Sequence, residues 1–178
     1  MASAFGHAFA AIALGTSVPK TYRSVKFWIL ATICSILPDA DVIGFSLGIP
    51  YESFWGHRGF SHSLLAALII GVLITLIFYS TTLFSRKGIL LILFFTLATA
   101  SHAVLDAMTT GGLGVAFFSP WEDTRHFFDW RPIQVSPIGI ENFFSAWGLR
   151  VILSELIYIF IPGTIYILIL YIIRRQKK

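Results

Sequence analysis

The heptapeptide HRGFSHS, residues 57–63, places two histidines, His57 and His62, immediately before the apolar stretch LLAALIIGVLITLIFY. An apolar helix has no packing use for two imidazoles at its start. Imidazole nitrogens bind zinc and other transition metals, and they exchange protons near neutral pH. Ser61 is predicted to be the N-cap of this helix, with His62 on the first turn and His57 in the loop before it. Both histidines are therefore candidates for metal binding or acid–base chemistry.

A second pair with metal-binding spacing is His102 and Asp106 in SHAVLDA. Side chains four residues apart lie on the same face of an α-helix, so this imidazole and carboxylate can bind one cation. Asp39 and Asp41, in PDAD, are too close together to share a helix face. We expect PDAD to form a loop that turns both carboxylates inward, where a carboxylate can bridge two metal ions. A simple helix stop at PDAD is the alternative.

The combined donor set contains imidazole nitrogens and carboxylate oxygens, a mixture that suits zinc and also manganese or iron. Two such ions roughly 3.5–4 Å apart would activate a water molecule and clamp the oxygens of a phosphoryl group. We therefore expect a divalent metal cofactor, with zinc as the first choice and one or two ions bound.

The composition is that of an integral membrane protein. Of 178 residues, 56% are hydrophobic and only 12% are charged, whereas soluble domains carry about 25% charged residues. Much of the surface is therefore expected to face lipid. The same balance argues against nucleic-acid binding, although the sequence pI is about 9.4.

Three apolar stretches, residues 59–85, 88–108 and 151–173, are long enough to cross a bilayer, which takes about 20 residues. Two shorter stretches, 4–18 and 25–37, precede them. Each of these two is either a full span or a shorter helix packed among the others. The fold class is therefore predicted to be all-α, a polytopic integral membrane bundle of about five helices.

The length of the chain indicates a single membrane domain, 1–178. The polar, aromatic-rich connection 109–150 is predicted to be a lid or small subdomain within it, because structureless loops of this length are uncommon. Its Phe and Trp residues are expected to form an interfacial aromatic belt. In the last span, Pro162 is predicted to kink the helix. The role of Glu155 stays open between snorkelling, pairing with a basic residue and joining the site.

Lysine and arginine concentrate in the cytoplasmic loops of membrane proteins. Nine of the 13 basic residues fall into three clusters that share one side if all five segments span: Lys20, Arg23 and Lys26; Arg86 and Lys87; Arg174, Arg175, Lys177 and Lys178. This side is predicted to be the cytoplasmic face of the cell (inner) membrane. The C-terminus would then lie inside and the N-terminus outside.

The same helix order gathers the candidate ligands at the opposite, extracytoplasmic face. Four histidines and three aspartates would meet there: His7, Asp39, Asp41, His57, His62, His102 and Asp106. Ionisable groups within membrane segments are costly and tend to be functional. A common site at the depth of the lipid headgroups is therefore the central prediction from the sequence.

Three further residues are predicted to bind substrate. Arg58 lies between the two histidines of HRGFSHS and is the first candidate for contact with an anionic group. Arg125 and His126, in the aromatic connection, are the other candidates, because a cation there can meet a phosphate. A structural or headgroup-anchoring role for Arg125 is the alternative.

An ordered series of motifs carries a resemblance to a known family. The motifs are GHAFAAIALG with His7, LPDAD (37–41), HRGFSHS (57–63), SHAVLDAMTTGG (101–112), FFSPW (117–121) and VSP (135–137). Together they resemble the YdjM-like family of membrane-bound metal-dependent hydrolases, which is thought to be distantly similar to zinc-dependent phospholipases C and P1-type nucleases. The resemblance implies phosphoester chemistry and metal-ligand roles for the seven histidines and aspartates above. The chain lacks the His-x-x-x-Glu pair of the soluble phospholipases, so one or two ions are expected rather than three.

The sequence thus predicts a metal-dependent hydrolase that acts on a phosphoester such as a phospholipid headgroup. Asp39 or Asp41, with Asp41 preferred, would orient or deprotonate the attacking water, and Arg58 would neutralise developing charge. One alternative is a non-enzymatic membrane protein with a structural or sensory metal site. A b-type haem protein is another alternative, against which the carboxylate of Asp106 beside His102 argues.

Overall fold

The computed structural model describes residues 1–176, and Lys177 and Lys178 of the C-terminal basic cluster lie outside the described residues. Within residues 1–176 the chain forms helices and contains no strand, so the predicted all-α fold class is confirmed. Four helical stretches are long and apolar enough to cross a membrane, and one shorter apolar helix precedes them.

The helices are, in chain order, α1 (Ala4–Gly15), α2 (Val25–Ile36), α3 (Ile43–Ser46), α4 (Leu64–Tyr79), α5 (Arg86–Ala107), α6 (Ile140–Phe143), α7 (Ala146–Glu155) and α8 (Ile161–Gln176). The 3₁₀ segment Leu37–Val42 joins α2 directly to α3, and the π-helical segment Leu156–Phe160 joins α7 directly to α8. The four membrane-spanning candidates are therefore Val25–Ser46, Leu64–Thr82, Arg86–Ala107 and Ala146–Gln176.

The two short segments differ from one another. α1 has 12 residues and is about 18 Å long, so it is a shorter helix packed among the others rather than a full span. The second segment extends past its predicted end at 37 to Ser46, a stretch of 22 residues. The α-helix α2 ends at Ile36, next to PDAD, but PDAD itself continues the stretch as a 3₁₀ segment instead of forming a loop. Pro38 lies in the first turn of the 3₁₀ segment, where a missing backbone N–H is tolerated.

Contacts between helix ends give the directions of the helices. Ser3, before the start of α1, is hydrogen-bonded to Glu155 at the end of α7. Thr16, after the end of α1, accepts a hydrogen bond from Arg174 near the end of α8. α1 and the stretch from α7 to α8 therefore run in the same direction.

α2 and α5 run in the opposite direction to α1. His102, near the end of α5, contacts the carbonyl of Ser35 near the end of α2 and stacks on His7 near the start of α1. The three basic clusters therefore meet at one end of the bundle, and the histidines and aspartates meet at the other. We call these the basic end and the site end. The described members of the basic end are Lys20, Arg23, Lys26, Arg86, Lys87, Arg174 and Arg175.

The core between α1, α2, α4 and α5 is aromatic and closely packed. Phe27 and Phe95 are fully buried, and the ring centroids of Phe27 and Phe94 are 4.6 Å apart. At Gly71, α4 approaches α5 so closely that a Cβ atom would lie 2.3 Å from Thr96 Oγ1. Small residues permit this approach between membrane helices. The packing holds α5 in place and so positions the ligands at its end.

The last helical stretch is exposed along most of its length. Only 6% of its most apolar window is buried, against 44% for Arg86–Ala107. Its apolar side chains are therefore expected to face lipid. Pro162, predicted to kink this helix, follows the π-helical segment Leu156–Phe160. This π-helical segment is where the stretch departs from α-helical geometry, and such single π turns occur inside α-helices.

The connection between α5 and α7 runs over the site end. Isolated bridges join Thr109 to Ile133 and Val115 to His126. The segment is attached to the helices by backbone hydrogen bonds: Leu64 N to Phe117 O at 3.0 Å, Ala116 N to Arg58 O at 3.0 Å and Phe128 N to Ala107 O at 3.1 Å. α7 begins at Ala146, before the predicted end of the connection at 150. The lid function of this segment and its role as an aromatic belt stay predictions.

Candidate metal centre

His102 is held by the chain so that one ring nitrogen faces other ligands. Its Nδ1 atom lies 2.7 Å from the carbonyl oxygen of Ser35, which can only accept a hydrogen bond. In the neutral imidazole the proton is therefore on Nδ1, and Nε2 carries the lone pair. Nε2 lies 3.0 Å from His62 Nε2 and 3.2 Å from Asp39 Oδ1. Metal-bound histidines usually donate from their other nitrogen in this way.

His62 is oriented in the same manner by a carboxylate. Its Nδ1 atom lies 3.1 Å from Asp41 Oδ2 and 3.0 Å from the hydroxyl of Ser61. Ser61 is not the N-cap of α4, contrary to prediction. Ser63 has that position and accepts from the backbone N–H of Ala66 at 3.0 Å. The Ser61 hydroxyl instead donates to Asp41 at 2.5 Å and supports the carboxylate that orients His62.

His7 enters the same region from α1. Its ring stacks on that of His102, with centroids 3.7 Å apart and an interplanar angle of 15°. Its Nε2 atom lies 3.3 Å from Asp106 Oδ1. All three side chains are fully buried. The early histidine therefore reaches the end of α5, as the helix order predicted.

Four ligands form what we call the first cluster: Asp39, His62, His102 and Asp106. Each offers a donor atom, and these atoms all lie within 4.8 Å of one another. A second cluster consists of Asp41, His57 and His62. His62 belongs to both, because its two ring nitrogens face opposite ways. The seven predicted ligands therefore meet in one continuous group, with His7 stacked beside the first cluster.

Unsatisfied donor and acceptor atoms indicate that the first cluster fits a divalent cation. Both ring nitrogens of His7 and both carboxylate oxygens of Asp39 are buried without a hydrogen-bond partner among the described residues. Buried polar atoms are nearly always paired. Two of these four atoms approach other ligands without forming hydrogen bonds: His7 Nε2 lies 3.3 Å from Asp106 Oδ1, and Asp39 Oδ1 lies 3.2 Å from His102 Nε2. Atoms that converge without bonding one another are what a shared cation requires.

Asp39 and Asp41 are separated by the helix, not turned together by a loop. Both lie on the 3₁₀ segment Leu37–Val42. Asp39 faces His102 in the first cluster, and Asp41 faces His57 in the second. The expectation that a PDAD loop directs both carboxylates to one point is therefore wrong in its geometry. The residue that connects the two clusters is an imidazole and not an aspartate.

The second cluster is a well-satisfied hydrogen-bond network. Asp41 Oδ1 lies 2.7 Å from His57 Nδ1, and Asp41 Oδ2 accepts from the backbone N–H of Arg58 at 3.2 Å. Burial lowers the pKa of His57 in spite of its hydrogen bond with Asp41. A neutral imidazole with Nδ1 directed at a carboxylate leaves Nε2 available to accept a proton or to bind a metal ion.

The electrostatics of the group also favour a bound cation. Three carboxylates, those of Asp39, Asp41 and Asp106, face the guanidinium of Arg58 and the N-terminal amine, which lies 3.9 Å from Asp106 Oδ2. At least one negative charge therefore remains while the imidazoles are neutral, even with that amine protonated. Burial opposes charge on His62, but the nearby carboxylates of Asp39 and Asp41, 3.7 Å and 3.1 Å from its ring nitrogens, raise the pKa of His62 to about 9. The surroundings of this ring therefore attract positive charge, which a metal ion would supply in place of the proton.

Arg58 is buried within the site and fully engaged. Its Nε atom donates to Asp106 Oδ2, its Nη1 to the carbonyl of Gly111 and its Nη2 to the hydroxyl of Thr109, each at 2.9 Å. Its backbone has a φ of 63°, a left-handed conformation that is uncommon for a residue other than glycine. The geometry favours a role in holding Asp106 and the connection after α5. Its predicted contact with substrate stays a prediction.

Arg125 and His126 lie in the connection at the edge of the site. Arg125 is half-buried and donates to the backbone carbonyls of His57 at 2.6 Å and Tyr51 at 2.8 Å. It thereby holds the loop that carries His57. His126 pairs with Val115 through the backbone, and its Nε2 lies 3.7 Å from Glu122. Their predicted roles in substrate binding stay predictions.

Several supporting residues carry no recognisable sequence signal. Ser35 acts through a backbone carbonyl, and Thr109 acts through a hydroxyl far along the chain from Arg58. Glu155 is a partial exception, because a buried carboxylate in an apolar helix is conspicuous. Its Oε1 accepts from the backbone N–H of Ser3 at 2.5 Å, and its Oε2 accepts from the Ser3 hydroxyl at 2.6 Å. Of the three roles left open for Glu155, the structure shows none directly; it anchors the start of α1.

Ser3 links this anchor to the histidine of α1. Its hydroxyl also accepts from the backbone N–H of Gly6 at 3.2 Å and so caps the helix that carries His7. Ser3→Ala removes the cap and leaves a buried carboxylate oxygen of Glu155 without a donor. We expect the free energy of unfolding in detergent micelles to fall by about 2–4 kcal/mol.

Ser85→Ala is the matched control, because Ser85 caps α5 by accepting from Gly88 N–H but has no buried carboxylate partner. That change should cost about 1 kcal/mol. Equal losses for the two variants would contradict the anchoring role of Glu155.

Comparison with known proteins agrees with this architecture. The family model described as YdjM inner membrane protein matches residues 1–177. The chain is 35% identical over 163 residues to "Inner membrane protein YbcI" of Escherichia coli (strain K12), and the match covers 92% of this chain and 93% of the relative. No solved structure matches the chain. The chain belongs to the YdjM inner membrane protein family.

Proposed function

We propose that this protein is a membrane-embedded, metal-dependent hydrolase that acts on a phosphoester at the membrane interface. The observation that carries the proposal is the first cluster, where four buried ligands converge and the carboxylate oxygens of Asp39 lack hydrogen-bond partners among residues 1–176. The ring nitrogens of His7, beside this cluster, also lack partners there, and Nε2 lies 3.3 Å from Asp106. Clustered histidines and carboxylates at the end of a membrane bundle are the donor set of a metal-dependent hydrolase.

The residues that would hold the cation are His7, Asp39, His62, His102 and Asp106. A divalent ion bound there, zinc first and manganese or iron as alternatives, would polarise a phosphoryl oxygen and make water a better nucleophile. Asp41 acts from the second cluster by fixing the Nδ1 atoms of neighbouring imidazoles. One ion in the first cluster is the minimum that the geometry supports, and the second cluster offers ligands for another.

The proton from the attacking water needs an acceptor, and His57 of the second cluster is the candidate. Asp41 engages its Nδ1 atom at 2.7 Å, which leaves Nε2 as the acceptor. The sequence favoured Asp41 itself for this task. Because Asp41 is already bonded to His57, Ser61 and the Arg58 backbone, we assign it the orienting role and His57 the proton-accepting role.

The phosphoester class rests on the resemblance to membrane-bound metal-dependent hydrolases and, more distantly, to zinc-dependent phospholipases C and P1-type nucleases. The position of the site at helix ends supports it, because headgroup phosphates lie at that depth. The basic end is expected to face the cytoplasm, which would put the site on the extracytoplasmic side and the C-terminus inside. Membrane lipid would then surround the protein and also supply its substrate.

Hydrolysis of phospholipid by the purified protein tests the proposal. The protein in mixed micelles should release phosphorylated headgroup or phosphate, lose this activity with a chelator and regain it with zinc or manganese. Asp39→Asn should lower the rate by at least the roughly 10–100-fold that loss of an outer metal-site partner costs. Asp123→Asn, an exposed aspartate in the connection, is the control. Turnover that persists in chelator, or none on any phosphoester, would overturn the mechanism.

A structural metal site is the second candidate function, and the depth of burial favours it. His7, His102 and Asp106 are each 0% exposed, as in closed structural zinc sites. Titration of metal while following both unfolding temperature and hydrolysis separates the two functions. A gain in stability with no hydrolysis under any condition would favour the structural role.

A further inference from the structure

A cavity of about 510 Å³ lies at the basic end of the bundle, away from the candidate metal centre. It is formed where the segment after α1 meets the end of α8. The residues that line it are Thr16, Pro19, Lys20, Arg23, Ile167, Leu170, Tyr171, Arg174 and Arg175. α5 crosses the bundle from Arg86 at this end to Asp106 at the other, a distance of about 30 Å. The basic cavity and the candidate metal centre are therefore too far apart to bind the same chemical group of a ligand.

Charge in the cavity is of one sign. Lys20, Arg23, Arg174 and Arg175 line it, and no acidic residue does so within residues 1–176. The Nε atom of Arg23 is buried and has no hydrogen-bond partner among the described residues. Burial and the nearby charge of Arg174 both lower the pKa of Arg23. Like charges held together without a counter-ion from residues 1–176 indicate that an anion binds in this cavity.

Part of this charge is fixed in position by the fold. Arg174 donates through Nη1 to the carbonyl of Thr16 and through Nη2 to that of Ser17, the latter at 2.8 Å. These carbonyls follow the C-terminus of α1, where a cation is favourable. The guanidinium therefore ties α8 to α1 and forms a rigid wall of the cavity. Arg23 and Arg175 have no such ties among the described residues.

The opposite wall of the cavity is apolar and continues into the membrane. Ile167, Leu170 and Tyr171 belong to α8. This helix is part of the stretch Ala146–Gln176, whose most apolar window is 6% buried in the protein. A ligand that fills both parts must have an anionic group next to apolar chains. A glycerophospholipid has this form, with its phosphate at the level of the arginines and its acyl chains along α8. Basic pockets between helices recognise anionic headgroups in this way.

We propose that the basic cavity binds the headgroup phosphate of an anionic phospholipid, with Arg23 and Arg175 as the principal contacts and Arg174 as the fixed wall. The inference is independent of the proposed hydrolase function, because none of the metal ligands lines this cavity. A bound lipid here would fasten the otherwise exposed α8 to α1.

Native mass spectrometry of the full chain, released from detergent micelles, tests this site. The probes are palmitoyl-oleoyl phosphatidylglycerol and the phosphatidylcholine with the same acyl chains. We expect one phosphatidylglycerol to be retained in preference to phosphatidylcholine. Arg23→Gln and Arg175→Gln should each weaken its retention about fivefold, and the double variant should weaken it more.

Arg86→Gln is the matched control, because Arg86 is an exposed arginine at the same end but does not line the cavity. It should leave retention unchanged, and an unaltered unfolding temperature confirms that each variant is folded. Equal retention of the two lipids, or an equal effect of Arg86→Gln, would overturn the proposal. Displacement of phosphatidylglycerol by inorganic phosphate at matched concentration would show a site for free anions, and this too would overturn the assignment to lipid.

Discussion

Replacing His62 with alanine is expected to abolish stoichiometric metal binding by the purified protein. His62 is the residue that the two clusters share, with Nε2 3.0 Å from His102 Nε2 and Nδ1 3.1 Å from Asp41 Oδ2. Its removal takes a nitrogen donor from both clusters. It also removes the imidazole that lies between the carboxylates of Asp39, Asp41 and Asp106, so their mutual repulsion is less well compensated. The loss in affinity should exceed the roughly 10–100-fold that removal of an outer partner of a metal ligand costs.

The measurement is elemental analysis of protein purified in detergent and dialysed against trace zinc, with a competing chromophoric chelator to obtain the affinity. His126→Ala is the control, since the His126 side chain is 41% exposed and belongs to neither cluster. His62→Gln, which keeps much of the side-chain volume, separates loss of a ligand from loss of folding. Wild-type metal content in both His62 variants would contradict the proposed centre.

One variant in each cluster would show how many ions are bound. His102→Ala removes a ligand of the first cluster only, and His57→Ala removes one of the second cluster only. If both clusters hold an ion, each variant should lose one of two. If the second cluster only orients His62 and accepts a proton, His57→Ala should keep the full metal content while hydrolysis falls. The pattern therefore distinguishes one ion from two without knowledge of the substrate.

The gathering of the ligands could be predicted from the sequence because it depends on the order of the helices. Apolar stretches of spanning length and the alternation of basic clusters require successive segments to reverse direction. His7, near the start of one segment, and His102, near the end of another, are then brought to the same end. This prediction assumed that all five segments cross the membrane, and α1 is too short to do so. A helix of 12 residues still delivers His7, because α7 and α5 hold its first turn.

The local backbone geometry of the site could not be predicted as well from the sequence. Pro38 and the two aspartates of PDAD indicate a turn by composition, yet the chain continues as a 3₁₀ helix into α3. Tertiary contacts with His57 and His102 favour this continuation, and no local propensity reports them. Arg58 illustrates the same limit. Its positive φ turns a side chain that neighbours two histidines into the interior, and its partners Thr109 and Asp106 lie about 50 residues away.

Hydrogen bonds to backbone carbonyls cannot be predicted from the type of the accepting residue. The tautomer of His102 is set by the carbonyl of Ser35, and Arg125 holds the His57 loop through carbonyls of Tyr51 and His57. Any residue could supply these acceptors. The sequence therefore indicated which side chains are chemically competent, while the roles of orienting and anchoring residues required the fold.

Arg58→Met should destabilise the metal-free protein by about 3–5 kcal/mol, the cost of breaking a buried ion pair by removing one partner. The change leaves Asp106 charged and fully buried, and it deprives the Gly111 carbonyl and the Thr109 hydroxyl of their donors. The loss should be smaller with metal bound, because a cation in the first cluster also neutralises Asp106. Chemical unfolding in micelles, with chelator and with zinc, measures both values.

Two further variants separate a positioning role for Arg58 from the substrate contact that the sequence favoured. Arg150→Met, at an exposed arginine over the ring of Trp147, should change stability by no more than about 0.5 kcal/mol. Arg58→Lys keeps the charge but lacks the fork that reaches three acceptors, so its stability should lie between wild type and Arg58→Met. If Arg58 instead bound substrate, Arg58→Lys would be as stable as wild type and would raise KM alone. If Arg58 has a positioning role, the free energy of unfolding should fall as its hydrogen bonds are removed, less in Arg58→Lys than in Arg58→Met. This is the result expected for a buried guanidinium with three internal partners.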